Sequence, residues 1–156
     1  MMRGLLVFLS VAVLGLLTAS AGASADEAPA QYCRRVVNDD VLRRPPESLA
    51  PAIERVFGLG NAYPPGAAFY RCAGGDVMVC AVGANLPCGK ANTSTALPAA
   101  AEWCRTNANA EFVPMYVTGH DTIYDWRCTA GMATITGQPA KLNARGFFAE
   151  YWRGLP

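Results

Sequence analysis

The sequence predicts an α+β fold, a small disulfide-stabilised domain built of two related helix–β-hairpin units. Three observations predict it. Tyr70-Arg71-Cys72-Ala73-Gly74-Gly75 is echoed by Trp126-Arg127-Cys128-Thr129-Ala130-Gly131. All six cysteines, Cys33, Cys72, Cys80, Cys88, Cys104 and Cys128, lie beyond the apolar N-terminus. Each echo follows a proline-opened stretch of helical spacing and leads into an apolar, strand-like run.

The N-terminus reads as an export signal over residues 1–25. Arg3 supplies a positive start, and Leu5 to Leu17 is a run, apolar but for Ser10, too short to span a bilayer comfortably. Ala23-Ser24-Ala25 fits the small-residue cleavage rule, which makes Asp26 the first mature residue. An uncleaved membrane anchor is the alternative. No later apolar run is long enough to hold the mature chain in a membrane, so no stable anchor is expected after cleavage.

Loss of residues 1–25 removes one of 13 basic side chains and none of the 12 acidic ones, which leaves the mature chain formally neutral. That balance argues against nucleic acid and against anionic membrane surfaces, both of which recruit excess Lys and Arg. Residues 26–156 are expected to form one domain with an internal duplication, about 29–97 and 98–156. Arginine greatly outnumbers lysine, and Ala, Gly and Pro abound. This bias suggests a GC-rich bacterial source and a periplasmic or secreted mature protein.

Pro29 to Arg34, running on to Asn38, opens the first unit as a short helix. Pro51 to Phe57 follows, with Ile53, Val56 and Phe57 at helical spacing and Gly58 to stop it. Phe69 to Ala73 and Asp76 to Val82 then flank Gly74-Gly75, a pair suited to a tight hairpin turn. The second unit repeats this order. Pro98 to Arg105 reads as a helix leaving at Asn107, and Pro114 to Thr118 as a compressed helical piece before Gly119. Ile123 to Thr129 and Met132 to Thr136 flank the Ala130-Gly131 turn. A third echo, Ala149 to Arg153, is read as a closing helix, capped by Asn143 and ended by Gly154.

In an oxidising compartment an even cysteine count implies cystines, and the absence of close C-x-x-C pairs disfavours zinc. The duplication makes Cys33–Cys72 equivalent to Cys104–Cys128 and leaves Cys80–Cys88 to clip a loop found only in the first unit. Equivalent cysteines could instead bridge across units, so the pairing stays open at this point. Period-two alternation places Tyr70 and Cys72 on one face and Phe69 and Arg71 on the other. Trp126 and Cys128 share the corresponding face. With the cystines marking the core, Tyr70 and Trp126 are expected inside and Arg71 and Arg127 outside, paired with Asp76 or Asp125 or presented to an anionic partner.

The tryptophan-arginine-cysteine run, the stretch from Cys80 to Cys88 and the Ala101-Glu102-Trp103-Cys104-Arg105 helix resemble those of a group of small exported proteins of rhizobia and related alphaproteobacteria. The resemblance covers most of the mature chain. It implies export and a cysteine framework, and it implies no activity. A shorter likeness, Tyr-x-Cys followed by a Gly-rich turn and an apolar strand, is to periplasmic inhibitors of lysozyme.

The main functional expectation is a non-catalytic binding or structural module, an inhibitor of an extracytoplasmic hydrolase in its most specific form. Its partner would be an unidentified protein or small molecule. The clipped loop supplies the candidate recognition residues Asn85 and Leu86, since a rigidified loop loses less entropy on binding. No cofactor or metal is expected.

The alternative is a small hydrolase. His120-Asp121, with Tyr124 three residues on, is similar to the active-site run of secreted phospholipases A2, in which the His activates water and the Asp holds calcium. The chain departs from that family in having no Gly-rich loop close upstream and in leading from His120 into a strand. Ser48 and Ser94 lack a nucleophile-elbow context, and nothing in the sequence sets the separation of Asp39-Asp40 from Glu111 as a glycosidase pair.

Overall fold

The computed structural model describes residues 27–59, 66–81, 83 and 86–156. The signal segment 1–25 and Asn85 lie outside these described residues. Helix α1 (Pro29–Val36) is followed by strand β1 (Asp39–Arg43), a 3-10 turn (Glu47–Leu49) and helix α2 (Ala50–Phe57). Strands β2 (Ala68–Ala73) and β3 (Asp76–Ala81) form the first hairpin. Helices α3 (Pro98–Thr106) and α4 (Met115–Thr118) precede the second, β4 (Asp125–Thr129) and β5 (Met132–Thr136). A 3-10 turn (Ala149–Tyr151) leads into β6 (Trp152–Gly154). The strands form a four-stranded antiparallel sheet in the order β1-β2-β3-β6 and a two-stranded sheet of β4 and β5.

Proline starts α1, α2 and α3, where its missing N–H removes no helical bond. Gly58, at φ 64°, caps α2 in the left-handed conformation. The hairpin turns need positive φ at both central positions. Gly74 and Gly75 supply it at no steric cost, whereas Ala130 adopts φ 49° beside Gly131.

Each turn is tied back to the segment after its helix in the same way. Asn38 Oδ1 accepts from the Gly74 N–H at 3.1 Å, and Asn109 Oδ1 accepts from the Ala130 N–H at 3.2 Å. The Gly75 N–H donates to Val37 and the Gly131 N–H to Ala108. Asn38 and Asn109 stand at the same distance in sequence beyond Cys33 and Cys104. The counterpart of Asn38 is therefore Asn109. Asn107 instead ends α3, its side chain donating to the Trp103 carbonyl at 2.9 Å.

The cystines are Cys33–Cys72, Cys80–Cys88 and Cys104–Cys128, with no free cysteine among the described residues. Each sits in its own apolar cluster. Cys33 and Cys72 pack with Ile53, Tyr70, Val77 and Val79, while Cys104 and Cys128 pack with Ala100, Val113 and Trp126. Cys80 and Cys88 pack with Phe147 and Trp152 on the opposite face of the four-stranded sheet.

Three expectations are corrected. The closing helix is reduced to the 3-10 turn at Ala149–Tyr151: Trp152–Gly154 pairs with β3, because the β3 edge offers backbone partners that a short helix would lack. Gly154 accordingly lies within a strand, and Asn143 closes a local turn by accepting from the Arg145 and Phe147 N–H groups. The strand β1 was not expected, since Asp39-Asp40 is poor strand sequence. Its two carboxylates are both used, as described below. Lastly, Arg71 points away from the Cys72 cluster as alternation requires, but it is only 2% exposed. Phe147 and Trp152 cover that face, and the guanidinium carbon lies 4.1 Å and 4.6 Å from their ring centroids. Its acidic neighbour is Asp40, at 3.9 Å, rather than Asp76 or Asp125. Arg127, on the uncovered second hairpin, is exposed as expected.

Candidate functional site

A broad concavity lies beside the second hairpin. It encloses about 650 Å³ between the Glu111–Met115 segment, the Gly119–Trp126 turn, the end of β5 and the C-terminal aromatics Phe148 and Tyr151. That volume suits a small ligand or a side chain of a partner protein. Its wall is formed by Tyr124 and Trp126, packed edge to face with centroids 6.3 Å apart. Trp126 is buried by the Cys104–Cys128 cystine cluster, so the wall is held rigidly. Its rim is apolar and open: Phe112 is 70% exposed and Met115 54%, with Tyr116 beside them at 81%. Such a contiguous exposed apolar group is a common mark of protein docking.

His120, Glu111 and Asp125 contribute the imidazole and carboxylates of this cleft, beside the phenols of Tyr124 and Tyr151. His120 is exposed and makes no side-chain hydrogen bond among the described residues. Asp121 is half-buried and does not line the cleft; its carbonyl accepts from the Asn92 N–H at 2.7 Å. Gly119 suits this turn because its φ of 82° is a conformation that side-chain-bearing residues rarely adopt. The His-Asp pair thus belongs to a tight turn between α4 and β4. Among the described residues no three His, Cys, Asp or Glu side chains gather closely enough to hold a metal ion.

The other candidates are scattered. Ser48 is exposed in its 3-10 turn, and the Ser94 hydroxyl donates to the Ala96 carbonyl at 2.7 Å, a local backbone bond. Leu86 is 41% exposed and forms an isolated bridge with Gly83 in the loop clipped by Cys80–Cys88. Asp39 and Asp40 lie on opposite faces of β1 and form no pair with Glu111 in the cleft. Asp39 accepts from the Tyr32 hydroxyl and the Val41 N–H and pairs with Arg43, and these contacts hold its carboxyl below the usual range.

Asp40 joins the two halves of the chain. Its carboxylate takes Arg145 Nε at 2.6 Å and Lys90 Nζ at 2.9 Å, with Arg71 behind. The Arg145 hydrogen bond, helped by Lys90, lowers the Asp40 pKa despite partial burial. Burial in turn lowers the pKa of the Arg71 guanidinium. For a carboxyl whose folded pKa is depressed, the stabilisation is complete above its unfolded pKa of roughly 3.9. It is lost as pH falls through the lower folded value. Asp40→Asn is therefore expected to flatten the drop in melting temperature between about pH 5 and pH 3. Thermal melts of both proteins across that range check this, and parallel curves would contradict it.

Phe112, more exposed at the rim than Met115, carries no sequence signal beyond its own hydrophobicity. The cleft draws on residues from Glu111 to Tyr151, so no local spacing announces it. No protein-family model matches this chain, and comparison with curated proteins and with solved structures finds no match.

Proposed function

We propose that the mature chain is an exported, non-catalytic binding protein that docks an extracytoplasmic protein at the aromatic cleft of its second unit. Inhibition of an extracytoplasmic hydrolase is the specific form of that role. The observation that carries the reading is the Tyr124–Trp126 wall beside the exposed apolar side chains of Phe112 and Met115, with exposed Tyr116 next in sequence. Large exposed aromatics around a fixed pocket are the residues that dominate binding energy at interfaces. Three cystines support an oxidising, extracytoplasmic setting. The matched Asn38–Gly74 and Asn109–Ala130 ties support an origin by internal duplication.

Immobilised protein is expected to retain a partner from a periplasmic extract of its source, and Phe112→Ser with Tyr116→Ser to lower retention by about tenfold or more. Both side chains are exposed, so the fold should persist. Retention unaffected by the pair would overturn the cleft reading. A calcium-dependent esterase activity abolished by His120→Ala would replace it with the hydrolase reading.

A further inference from the structure

The two hairpins close in the same register, Ala73 opposite Asp76 and Thr129 opposite Met132. In an antiparallel pair the hydrogen-bonded positions alternate from the turn. The backbone groups of Ala133 and Ile135 on β5 therefore face away from β4, as those of Val77 and Val79 face away from β2. On β3 that outer edge is filled: β6 pairs Arg153 with Val79, and the Leu155 N–H donates to the Val77 carbonyl at 2.9 Å. Leu155 then packs its side chain against the Cys33–Cys72 cluster.

On β5 the same edge has no strand beside it among the described residues. The other edge of the second sheet is occupied, since Val113 and Cys128 exchange backbone bonds with Trp126 and Ala110. Beside the open β5 edge runs a groove of about 450 Å³, bordered by Leu97, Ala101 and Arg105 of the α3 region and by Met132 and Ala133 of β5. It adjoins Ala133, the position that the hairpin register matches to Val77, where Leu155 docks. The edge carries no charge, proline or bulge to discourage pairing.

We propose that the β5 edge is a strand-addition site for an extended segment of a partner protein. The segment runs antiparallel to β5, bonds to the Ala133 and Ile135 backbone, and seats a leucine-sized side chain in the groove beside α3. Main-chain bonds give such a site its affinity and the side-chain pocket its selectivity. The chain's own β6 and Leu155 supply the template for this mode. Trp126 borders both cavities, but Phe112 and Tyr116 do not line this groove, so either set of contacts can fail without the other.

The test uses isotope-labelled, oxidised protein and the capped peptide Glu-Tyr-Trp-Arg-Gly-Leu-Pro, the sequence of residues 150–156. Titration is expected to shift the amide signals of Ala133 and Ile135 and the methyl signals of Leu97 and Ala101. N-methylation of the peptide at its arginine and leucine removes the donors and should weaken binding by about tenfold. Ala101→Phe, a change at an exposed helix position, should fill the groove and weaken binding by a similar factor while leaving the Phe112 and Tyr116 signals, which lie outside the groove, unmoved. Shifts confined to other surfaces, or none at millimolar peptide, would overturn the proposal. So would equal binding of the N-methylated peptide. Concentration-dependent shifts at Ala133 and Ile135 without peptide would also overturn it, by assigning the edge to a second copy of this chain.

Discussion

Arg71→Ala is expected to destabilise the protein by about 2–4 kcal/mol, whereas Arg71→Met should be neutral or slightly stabilising. The contrast follows from what surrounds the side chain. Its guanidinium rests against Phe147 and Trp152, which themselves pack edge to face with centroids 5.5 Å apart. Cation–π attraction at a desolvated site contributes about 2 kcal/mol. Against that stands the burial of a charge whose Nε and Nη1 have no hydrogen-bond partner among the described residues. Its carboxylate lies 3.9 Å away and is already held by Lys90 and Arg145. Desolvation of a poorly paired cation costs several kcal/mol, enough to offset the attraction. What remains is packing. Alanine abandons that volume between the sheet and the Phe147–Trp152 pair; methionine keeps most of it. Urea unfolding with the cystines intact measures both variants. A methionine protein as weak as the alanine one would show that charge, not volume, holds this layer together.

Arg71 also shows where the sequence stops being legible. Arg71 and Arg127 occupy equivalent positions in equivalent hairpins, and alternation turns both away from their cystines. Nothing local separates them. One is buried and the other exposed because Phe147 and Trp152 return to cover only the first hairpin. That return depends on β6, whose Tyr-Trp-Arg run echoes the cysteine helices closely enough to read as one. A three-residue strand takes its conformation from the β3 edge, not from its own propensity. The hairpins, the helices before them and the cystine pairing were legible for the opposite reason. Gly74-Gly75 and Ala130-Gly131 set the turns locally, and the echoed Arg-Cys run before each repeated the signal. Leu86, in the loop closed by Cys80–Cys88, is exposed. The aromatic cleft stayed hidden because its wall and rim meet only through the fold of the second unit.

That second unit should come apart on its own when its cystine is removed. Replacing Cys104 and Cys128 with alanine is expected to cost about 3.5 kcal/mol by the chain-entropy estimate for the loop they close. The loss should be confined. The first unit keeps a four-stranded sheet, whereas β4 and β5 form a two-stranded ribbon of the kind that is marginal without support. Its support is the small cluster of Ala100, Val113 and Trp126 around the cystine itself. Residue-resolved hydrogen exchange should show amides from Asp125 to Thr136 exchanging several hundredfold faster, with those of Tyr70 and Val79 little changed. Trp126 emission should shift to the red as the ring meets water. Equal acceleration in both sheets would mean that the Asp40–Arg145–Lys90 contacts bind the halves into one cooperative unit. Confinement to the second sheet would place the Tyr124–Trp126 wall and the β5 edge under the control of a single bond, so a reductant reaching Cys104–Cys128 would abolish both surfaces while the four-stranded sheet stayed folded.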